Sequence, residues 1–221
     1  MLLAIDTSTR SMGIALYDGA QVLGLSAWNT ANHHTVELAP AVDDLLKRCD
    51  VEAKKLTALG VAIGPGSFTG LRIGLGFAKG IALAHHLPIV GIPTLDIVAA
   101  SQPVQPIPLI AALRAGRGRL AIDWYQAEDE TWKSAAKPEL LTAQDLAGKL
   151  DGECLICGEF NGAERQFLAE IPGVHLPSPA KSMRNPGLLA ELAWNRVQSG
   201  KLDDPASLVP TYLHVGDPIP A

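Results

Sequence analysis

The first apolar run of the chain, Leu2–Ile5, ends in an acid followed by two hydroxyl residues, Asp6, Thr7 and Ser8. An aspartate in such a turn can hold a metal ion or a water, and small hydroxyl side chains leave room for backbone N–H groups to approach a phosphate. The same residue types are equally typical of an ordinary hairpin turn. The sequence therefore predicts either a nucleotide contact at these residues or a turn closed by short polar side chains.

Nuclease chemistry is not expected from Asp6, because it needs several carboxylates around two metal ions. The predicted strand 58–63 carries no acid, and the second and third predicted strands carry none apart from Asp18 in the turn between them.

A glycine-rich segment, Gly64–Gly74, reads Gly-Pro-Gly-Ser-Phe-Thr-Gly-Leu-Arg-Ile-Gly. Its glycines permit a tight turn from a strand into a helix, and Ser67 and Thr69 are natural caps for that helix. Free N–H groups at the helix start can accept an anion, with Arg72 one turn further along. The segment is not a P-loop, because it lacks the Gly-Lys-Ser/Thr ending. It adds Ser67 and Thr69 to the candidate nucleotide contacts.

Three glycines, Gly74, Gly76 and Gly80, fall on or near one face of the predicted helix. A glycine inside a helix costs about 1 kcal/mol relative to alanine, so three of them call for a packing reason. Small residues let another helix approach closely, either inside the fold or against a partner. Both alternatives are open at this point.

The histidines and cysteines give little support for a metal or catalytic set. His34 and Glu37 are spaced as two ligands on a helix would be, but no third ligand is near, so polar residues at a helix start explain them better. Cys154 and Cys157 have C-x-x-C spacing without a second ligand pair, and they are predicted to lie in a short buried strand. We expect no metal site and no catalytic residue.

The composition is that of an ordinary globular chain of 221 residues, 48% hydrophobic and 19% charged, with a formal net charge of -5. An acidic chain is a poor lone binder of nucleic acid, because neutralisation of phosphates supplies most non-specific affinity. Any RNA is therefore expected to be held through a partner. The sequence shows neither a signal peptide nor an apolar stretch of membrane-spanning length, which predicts a cytoplasmic location without membrane association.

The first half of the chain is predicted to fold as strand-strand-strand-helix-strand-helix. Asp18-Gly19 between two apolar runs predicts a hairpin, and hence an antiparallel meander. A 3.6-residue apolar period, a continuous apolar run and a second helical segment follow. The predicted strands are Leu2–Ile5, Met12–Tyr17, Val22–Ala27, Leu59–Ile63 and Ile89–Ile92, and the predicted helices are His34–Cys49, Leu71–His86 and Pro93–Ser101.

A stretch with three prolines, 102–108, is the best candidate for a domain boundary. It divides the chain into an N-terminal lobe, 1–101, and a smaller, degenerate second lobe, 102–221, whose proline-containing tail, 205–221, is expected to be extended. The order of elements is that of a ribonuclease-H-like lobe, and its doubling predicts an α/β protein of actin-like architecture, with mixed sheets flanked by helices. The elements predicted for the second lobe are strands at Ile107–Leu113, Arg119–Gln126 and Cys154–Cys157 and helices at Thr142–Leu150, Asn161–Ile171 and Pro186–Ser199.

The segment Gly64–Gly74 resembles the signature of the TsaB (YeaZ) family. Three further segments are similar to this family in order and spacing: Ala4–Ser8 followed by Gly13, His34–Pro40, and Pro210–Leu213. The resemblance is near-continuous over residues 1–101 and patchy beyond.

This resemblance implies an actin-like fold and a role in making N6-threonylcarbamoyladenosine at position 37 of tRNA. Members of the family are regarded as non-catalytic paralogues of the catalytic subunit TsaD. They bind TsaD as a heterodimer, assemble with the ATPase TsaE, and often form homodimers when alone. The resemblance implies that tRNA is reached only through the complex. It assigns no cofactor to the chain itself, and it would place ATP or ADP and magnesium at the partner interface.

The contact with TsaD in this family is a bundle of the first two long helices of each partner, here about His34–Cys49 and Gly70–His86. The interface residues that the resemblance implies are His34, Glu37, Leu38, Val42, Leu45, Arg72, Gly74, Leu75, Gly76 and Lys79.

Two departures from the family pattern bear on activity. His34 is followed by Leu38 four residues later, so the H-x-x-x-H metal pair of the catalytic paralogue is absent. The stretch Leu113–Arg117 lacks the acid of the Asp-Ala-Arg sequence that often opens the second lobe. The alternative function is an autonomous actin-fold ATPase or phosphotransferase with Asp6 near the metal. A metallopeptidase, a label given to related proteins, is disfavoured by the missing ligands.

Overall fold

The computed structural model describes residues 1–31 and 33–213, which form two compact units. Residues 214–221 of the tail predicted to be extended lie outside this range. No helix within the described range is both long enough and apolar enough to span a bilayer. The first unit comprises Met1–Ile97 and Arg184–Thr211, and the second comprises Val98–Met183 with Tyr212 and Leu213 of the described residues.

The sheet of the first unit is built from five short strands: β1 (Leu2–Asp6), β2 (Ser11–Tyr17), β3 (Val22–Asn29), β4 (Ala58–Ala62) and β5 (Ile89–Ile92). Their order is β3-β2-β1-β4-β5. The first three strands pair antiparallel, and β4 pairs parallel with both β1 and β5. β1 and β4 are buried along their whole lengths, as expected for strands covered on both faces. The predicted meander and the buried parallel strand are confirmed.

Six α-helices are found among the described residues: α1 (His34–Arg48), α2 (Phe68–His85), α3 (Thr94–Ala100), α4 (Ala143–Ala147), α5 (Gly162–Ala169) and α6 (Pro186–Gln198). In the first unit, α1 and α2 lie on one face of the sheet. Leu38 and Leu45 of α1 and Ala78 of α2 join Ile5 and Leu59 in a single apolar core there. The apolar period that predicted these helices therefore marks the face that each one buries.

The last helix, α6, covers the opposite face of the same sheet. Leu189 and Ala193 of α6 pack with Leu2 and Ala58 of the strands. A Cβ on Gly60 would lie 2.5 Å from the Cβ of Ala193, so glycine is required for this close approach. This packing explains why 184–211 belongs to the first unit. The sequence-based division, which placed everything after residue 101 in the second lobe, differs from the structure here.

The second unit repeats the strand order of the first. Its strands are β6 (Leu109–Gly116), β7 (Arg119–Glu128), β8 (Thr131–Ser134), β9 (Glu139–Leu141), β10 (Cys154–Gly158) and β11 (Val174–His175). The order is β11-β10-β6-β7-β8, with β9 also paired to β7. β6 and β7 are antiparallel, whereas β10 and β11 continue the sheet in parallel. Two ribonuclease-H-like units, as the actin-like prediction requires, are therefore present. Strands β8, β9 and β11 were not predicted.

Candidate functional site

The turn that follows β1 is buried and contains an internal ion pair. Its four polar side chains, Asp6 to Thr9, are at most 8% exposed. Oδ2 of Asp6 accepts a hydrogen bond from Nε of Arg184 at 2.6 Å, and Oδ1 accepts one from the backbone N–H of Ser8 at 2.8 Å. Nη2 of Arg184 also donates to Oγ1 of Thr9 at 2.9 Å and to the carbonyl of Ser11 at 2.6 Å. The two charges are therefore removed from water together, and each is paired.

The hydroxyl residues of the turn are bonded to neighbouring elements. Oγ1 of Thr7 donates to the carbonyl of Gly70 at 2.7 Å, near the start of α2. Oγ of Ser8 lies 2.8 Å from Oγ1 of Thr94, the first residue of α3. The carbonyl of Ser8 accepts a bond from the N–H of Ser67 at 2.6 Å. The turn is thus connected to α2 and α3 through side chains and backbone.

Close packing explains why three positions of the glycine-rich segment must be glycine. A Cβ on Gly66 would overlap the carbonyl of Ser8, and one on Gly70 or Gly74 would overlap Thr7. These three glycines are therefore needed for the turn to lie against α2. The structure resolves the open alternative for Gly74: its packing role is inside the fold.

Ser67 is the N-cap of α2, as predicted, and its Oγ accepts a bond from the N–H of Gly70 at 3.2 Å. Thr69 lies in the first turn of the same helix, and both side chains are exposed. The structure therefore brings the five candidate nucleotide residues into one region. Asp6, Thr7 and Ser8 serve as internal connections, whereas Ser67 and Thr69 lie at the surface.

A magnesium–nucleotide complex does not fit this arrangement. Each carboxylate oxygen of Asp6 already accepts a hydrogen bond, and the guanidinium of Arg184 supplies the positive charge that a metal ion would bring. The hydroxyls of Thr7 and Ser8 are engaged as well. Sequence reasoning missed Arg184, which lies 178 residues from Asp6 and belongs to no recognisable motif.

The start of α1 is anchored to the same turn. His34 is 5% exposed, and its Nε2 lies 2.9 Å from the carbonyl of Thr9. Glu37 accepts a bond from Nε1 of Trp28 at 2.8 Å, and this bond is the main reason why the pKa of Glu37 lies below its usual value. Among residues 1–31 and 33–213, no group of three or more His, Cys, Asp or Glu side chains is placed to hold a metal ion.

The two cysteines of the C-x-x-C spacing lie on the predicted strand, β10, and both are buried. Residues three apart on a strand point to opposite faces. Accordingly, Cys154 belongs to the core of the second unit, whereas Sγ of Cys157 lies 3.8 Å from the carbonyl of Val98. Burial raises the pKa of Cys157 to about 12, so its thiol stays protonated. The pair is structural in this chain.

The predicted partner interface needs correction, because most of its residues lie inside the first unit. Only Glu37, Arg72, Gly76 and Lys79 keep exposed or half-exposed surface. The buried members are His34, Leu38, Val42, Leu45, Gly74 and Leu75. These six residues lie on the face that each helix turns to its own sheet.

The exposed sides of α1 and α2 carry apolar residues. Val36 of α1 is 70% exposed, and Phe68 and Leu83 of α2 are 54% and 67% exposed. A Cβ on Gly76 or Gly80 would meet nothing within 4 Å, so these glycines leave a shallow strip along α2. The guanidinium of Arg72 lies 3.7 Å above the ring of Phe68. We call Val36, Phe68, Arg72, Gly76, Gly80 and Leu83 the outer face of α1 and α2.

Comparison with known proteins gives a consistent result. A family model described as TsaD, tRNA N6-adenosine threonylcarbamoyltransferase, matches residues 23–181. The tRNA threonylcarbamoyladenosine biosynthesis protein TsaB of Bacillus subtilis is 28% identical over 98% of this chain and 95% of its own length. TsaB of Escherichia coli is 32% identical over 71% of this chain and 70% of its own length. The chain belongs to the TsaB (YeaZ) family.

The fold agrees with this family. A solved structure, YeaZ from Pseudomonas aeruginosa, superposes with a TM-score of 0.79 at 24% identity, covering 96% of this chain and 99% of that one. Together with the repeated strand order, it confirms the predicted actin-like fold with two mixed sheets.

The family motifs meet at one place in the first unit. Gly64 has a φ of +109°, and a Cβ there would overlap the carbonyl of Thr211. The N–H of Thr211 donates to the carbonyl of Ile63 at 2.7 Å, just beyond β4. Thr211 of the motif at Pro210–Leu213 thus contacts the glycine-rich segment, which in turn contacts Thr7 and Ser8 of the first motif. The TsaB motifs of this chain build the turn and its surroundings.

Proposed function

We propose that this chain acts as the TsaB-type subunit in the biosynthesis of N6-threonylcarbamoyladenosine in tRNA. The observation that carries the proposal is family membership: a relative named for this pathway aligns with 98% of the chain. The family model that matches 23–181 is named for the transferase that acts on the tRNA adenosine.

We further propose that the chain does not itself catalyse the reaction. The support comes from the buried pair of Asp6 and Arg184, whose side chains are 4% and 2% exposed. An actin-fold ATPase or phosphotransferase would use an acid at this turn for a metal ion, and here the acid is occupied by an arginine. The autonomous-enzyme alternative therefore requires a metal site that the contacts of Asp6 do not favour.

The proposed partner is a TsaD-type catalytic subunit, bound through the outer face of α1 and α2. Three exposed apolar side chains, Val36, Phe68 and Leu83, together with the open glycine strip, support this surface. Glycines at an exposed helix face let a partner helix approach closely, which offsets their cost in the helix. A TsaE-type ATPase is proposed as the third component, and a homodimer through the same surface is proposed for the chain alone. ATP or ADP with magnesium would then bind at the partner contact.

A reconstitution with the chain left out tests the role in the pathway. A TsaD-type subunit, a TsaE-type ATPase, the threonylcarbamoyl-adenylate synthase, ATP, threonine, bicarbonate and unmodified tRNA are mixed with and without the chain, and the modified adenosine is quantified. We expect product only when the chain is present, and no ATP turnover by the chain alone. Equal product without the chain would refute the role in the pathway. ATP hydrolysis by the chain that Asp6→Asn abolishes would refute the non-catalytic assignment.

A further inference from the structure

The hairpin between β6 and β7 carries three arginines within six residues, Arg114, Arg117 and Arg119, in a chain whose net charge is -5. The strands on either side are buried up to Leu113 and again from Leu120, whereas the residues between them are exposed or half-exposed. A Cβ on either glycine of this segment would meet nothing within 4 Å. We call residues 114–119 the arginine hairpin, and its tip is surrounded by open space.

The turn at the tip does not by itself explain an arginine. Gly116 pairs with Arg119, which leaves Arg117 and Gly118 as a two-residue loop, with φ values of 53° and 70°. Loops of this kind favour asparagine, aspartate or glycine at the first position, because a left-handed conformation is costly for other residues. Arginine is therefore unfavourable at position 117 of this turn. We infer that its side chain has a role outside the turn.

The neighbouring acids neutralise only part of this charge. Nε of Arg114 lies 3.7 Å from Oε2 of Glu164, which is 11% exposed and caps α5. Arg119 lies near Asp145, whose pKa is lowered mainly by hydrogen bonds from Thr142 and further by the charge of Arg119. No hydrogen bond or ion pair of the Arg117 side chain is found within the described part of the chain.

The chemistry of the hairpin fits a phosphate backbone better than a protein surface. The guanidinium group presents a planar set of donors that matches phosphate oxygens, and it is always charged. Protein interfaces also use arginines, but they place them around buried aromatic or aliphatic anchors. The only apolar side chain between residues 114 and 119 is Ala115. We propose that the arginine hairpin contacts the phosphate backbone of the tRNA substrate in the assembled complex. This proposal rests on the proposed function.

The double variant Arg117→Asn/Arg119→Gln tests the proposal. Asparagine suits the left-handed position, glutamine keeps the length of the strand residue, and Arg114 keeps its contact with Glu164. The matched control is Lys54→Gln/Lys55→Gln, which removes the same charge from two exposed residues of the first unit. Binding of the reconstituted complex to an unmodified tRNA transcript is measured from 50 to 300 mM KCl, together with the KM for tRNA and kcat.

The plot of log affinity against log salt has a negative slope, and for the hairpin variant we expect its magnitude to decrease by about 1.4 to 1.8. Each of the two lost phosphate contacts removes about 0.7 to 0.9. Affinity near 100 mM salt should fall about tenfold, with a raised KM for tRNA and an unchanged kcat. The control should behave like the wild type.

Three results would overturn the proposal. The first is a hairpin variant with the wild-type slope and KM. The second is a control that loses as much affinity and slope as the hairpin variant. The third is a hairpin variant that weakens assembly of the protein subunits without changing the salt slope, which would indicate a protein contact. In each case product formation still depends on the wild-type chain, so the proposed function survives. Product formed equally without the chain is a different result, and it removes the proposed function together with the hairpin's role in it.

Discussion

Arg184 pairs with the carboxylate of Asp6 inside the first unit, and both side chains are buried. Removing one partner of a buried ion pair leaves the other charge without compensation, which costs about 3 to 5 kcal/mol. We expect Arg184→Met to lower the free energy of unfolding in urea by about this amount. The double variant Asp6→Asn/Arg184→Met should lose less than the sum of the two single losses, because it removes both charges.

Arg10→Met is the matched control for this prediction, because Arg10 is exposed. Its effect should stay within about 0.5 kcal/mol. A loss below about 1 kcal/mol for Arg184→Met would show that the pair does not hold the turn together.

The three cysteines should differ sharply in reactivity. Burial raises the pKa of Cys157 to about 12 and raises that of Cys154, whereas Cys49 is half-exposed. We expect iodoacetamide at pH 8 to modify Cys49 in the folded chain and the other two only after unfolding in urea, as read by mass spectrometry of peptides. The neutral thiol of Cys157 also stabilises the fold below its unfolded pKa near 9, and this contribution is lost as the pH rises from 9 towards 12. Early modification of Cys157 in the folded chain would contradict the prediction.

At the level of single residues, the sequence predicted the turn and left two roles open for it, a nucleotide contact or closure by short polar side chains, but it did not show the partners of these side chains. Asp6, Thr7 and Ser8 were recognised by type and by their place after a strand, both of which are local signals. Arg184 is brought to them only by the return of the chain to the first unit. Six of the ten interface residues that the resemblance implied are buried. A helix shows its buried face through its apolar spacing, so residues on that face cannot mark the exposed one.

The two faces of α2 give its glycines opposite roles. Gly74 faces Thr7, and its Cβ would overlap that side chain, whereas a Cβ on Gly76 meets nothing within 4 Å. We expect Gly74→Ala to destabilise the chain by about 1 to 3 kcal/mol through overpacking. Gly76→Ala should stabilise it by up to about 1 kcal/mol, the usual gain inside a helix. Urea unfolding of both variants checks the contrast, and equal effects of the two would refute the assignment of faces.

A bulky residue on the outer face tests the partner surface. Gly76→Trp should leave the monomer folded, because the position opens to solvent, and it should weaken the complex with a TsaD-type subunit by at least about tenfold. Isothermal titration calorimetry measures the affinity. Lys201→Trp, at an exposed position after α6, is the control and should bind like the wild type. Unchanged affinity of Gly76→Trp would place the partner elsewhere.

Elements were predictable where they carry an apolar run or an apolar period, and not where they are short and only partly buried. The five strands of the first unit and its helices follow from apolar runs, periodicity and turn residues, and the structure confirms them. Strands β8, β9 and β11 are two to four residues long and have no fully buried residue, so they carry no apolar run to detect. Their pairing is decided by the neighbouring strand rather than by their own sequence.

At the scale of the whole molecule, the chain forms the same topology twice but completes the first unit last. The face of the first sheet formed by Leu2, Ala4, Ala58 and Ala62 is covered by α6, which follows the entire second unit in the chain. The first change of unit lies at Val98, a few residues before the prolines at 102–108. The return at Arg184 carries no comparable signal, since a helix pattern does not show which sheet it covers.

Because the first unit consists of two separate stretches of the chain, fragments with and without the second stretch should differ in stability. Residues 1–101 alone leave one face of the sheet uncovered, so we expect a fragment that binds the dye ANS, shows poor NMR dispersion and unfolds without cooperativity. The same residues joined to 184–211 by a flexible glycine-serine linker regain α6 and the pair of Asp6 and Arg184. This spliced chain should unfold cooperatively and bind no ANS. Inserting Arg184→Met into it should remove much of that stability, because the ion pair lies wholly within the first unit. A cooperative 1–101 fragment would instead mean that α6 is dispensable and that the sequence-based division describes an independent folding unit.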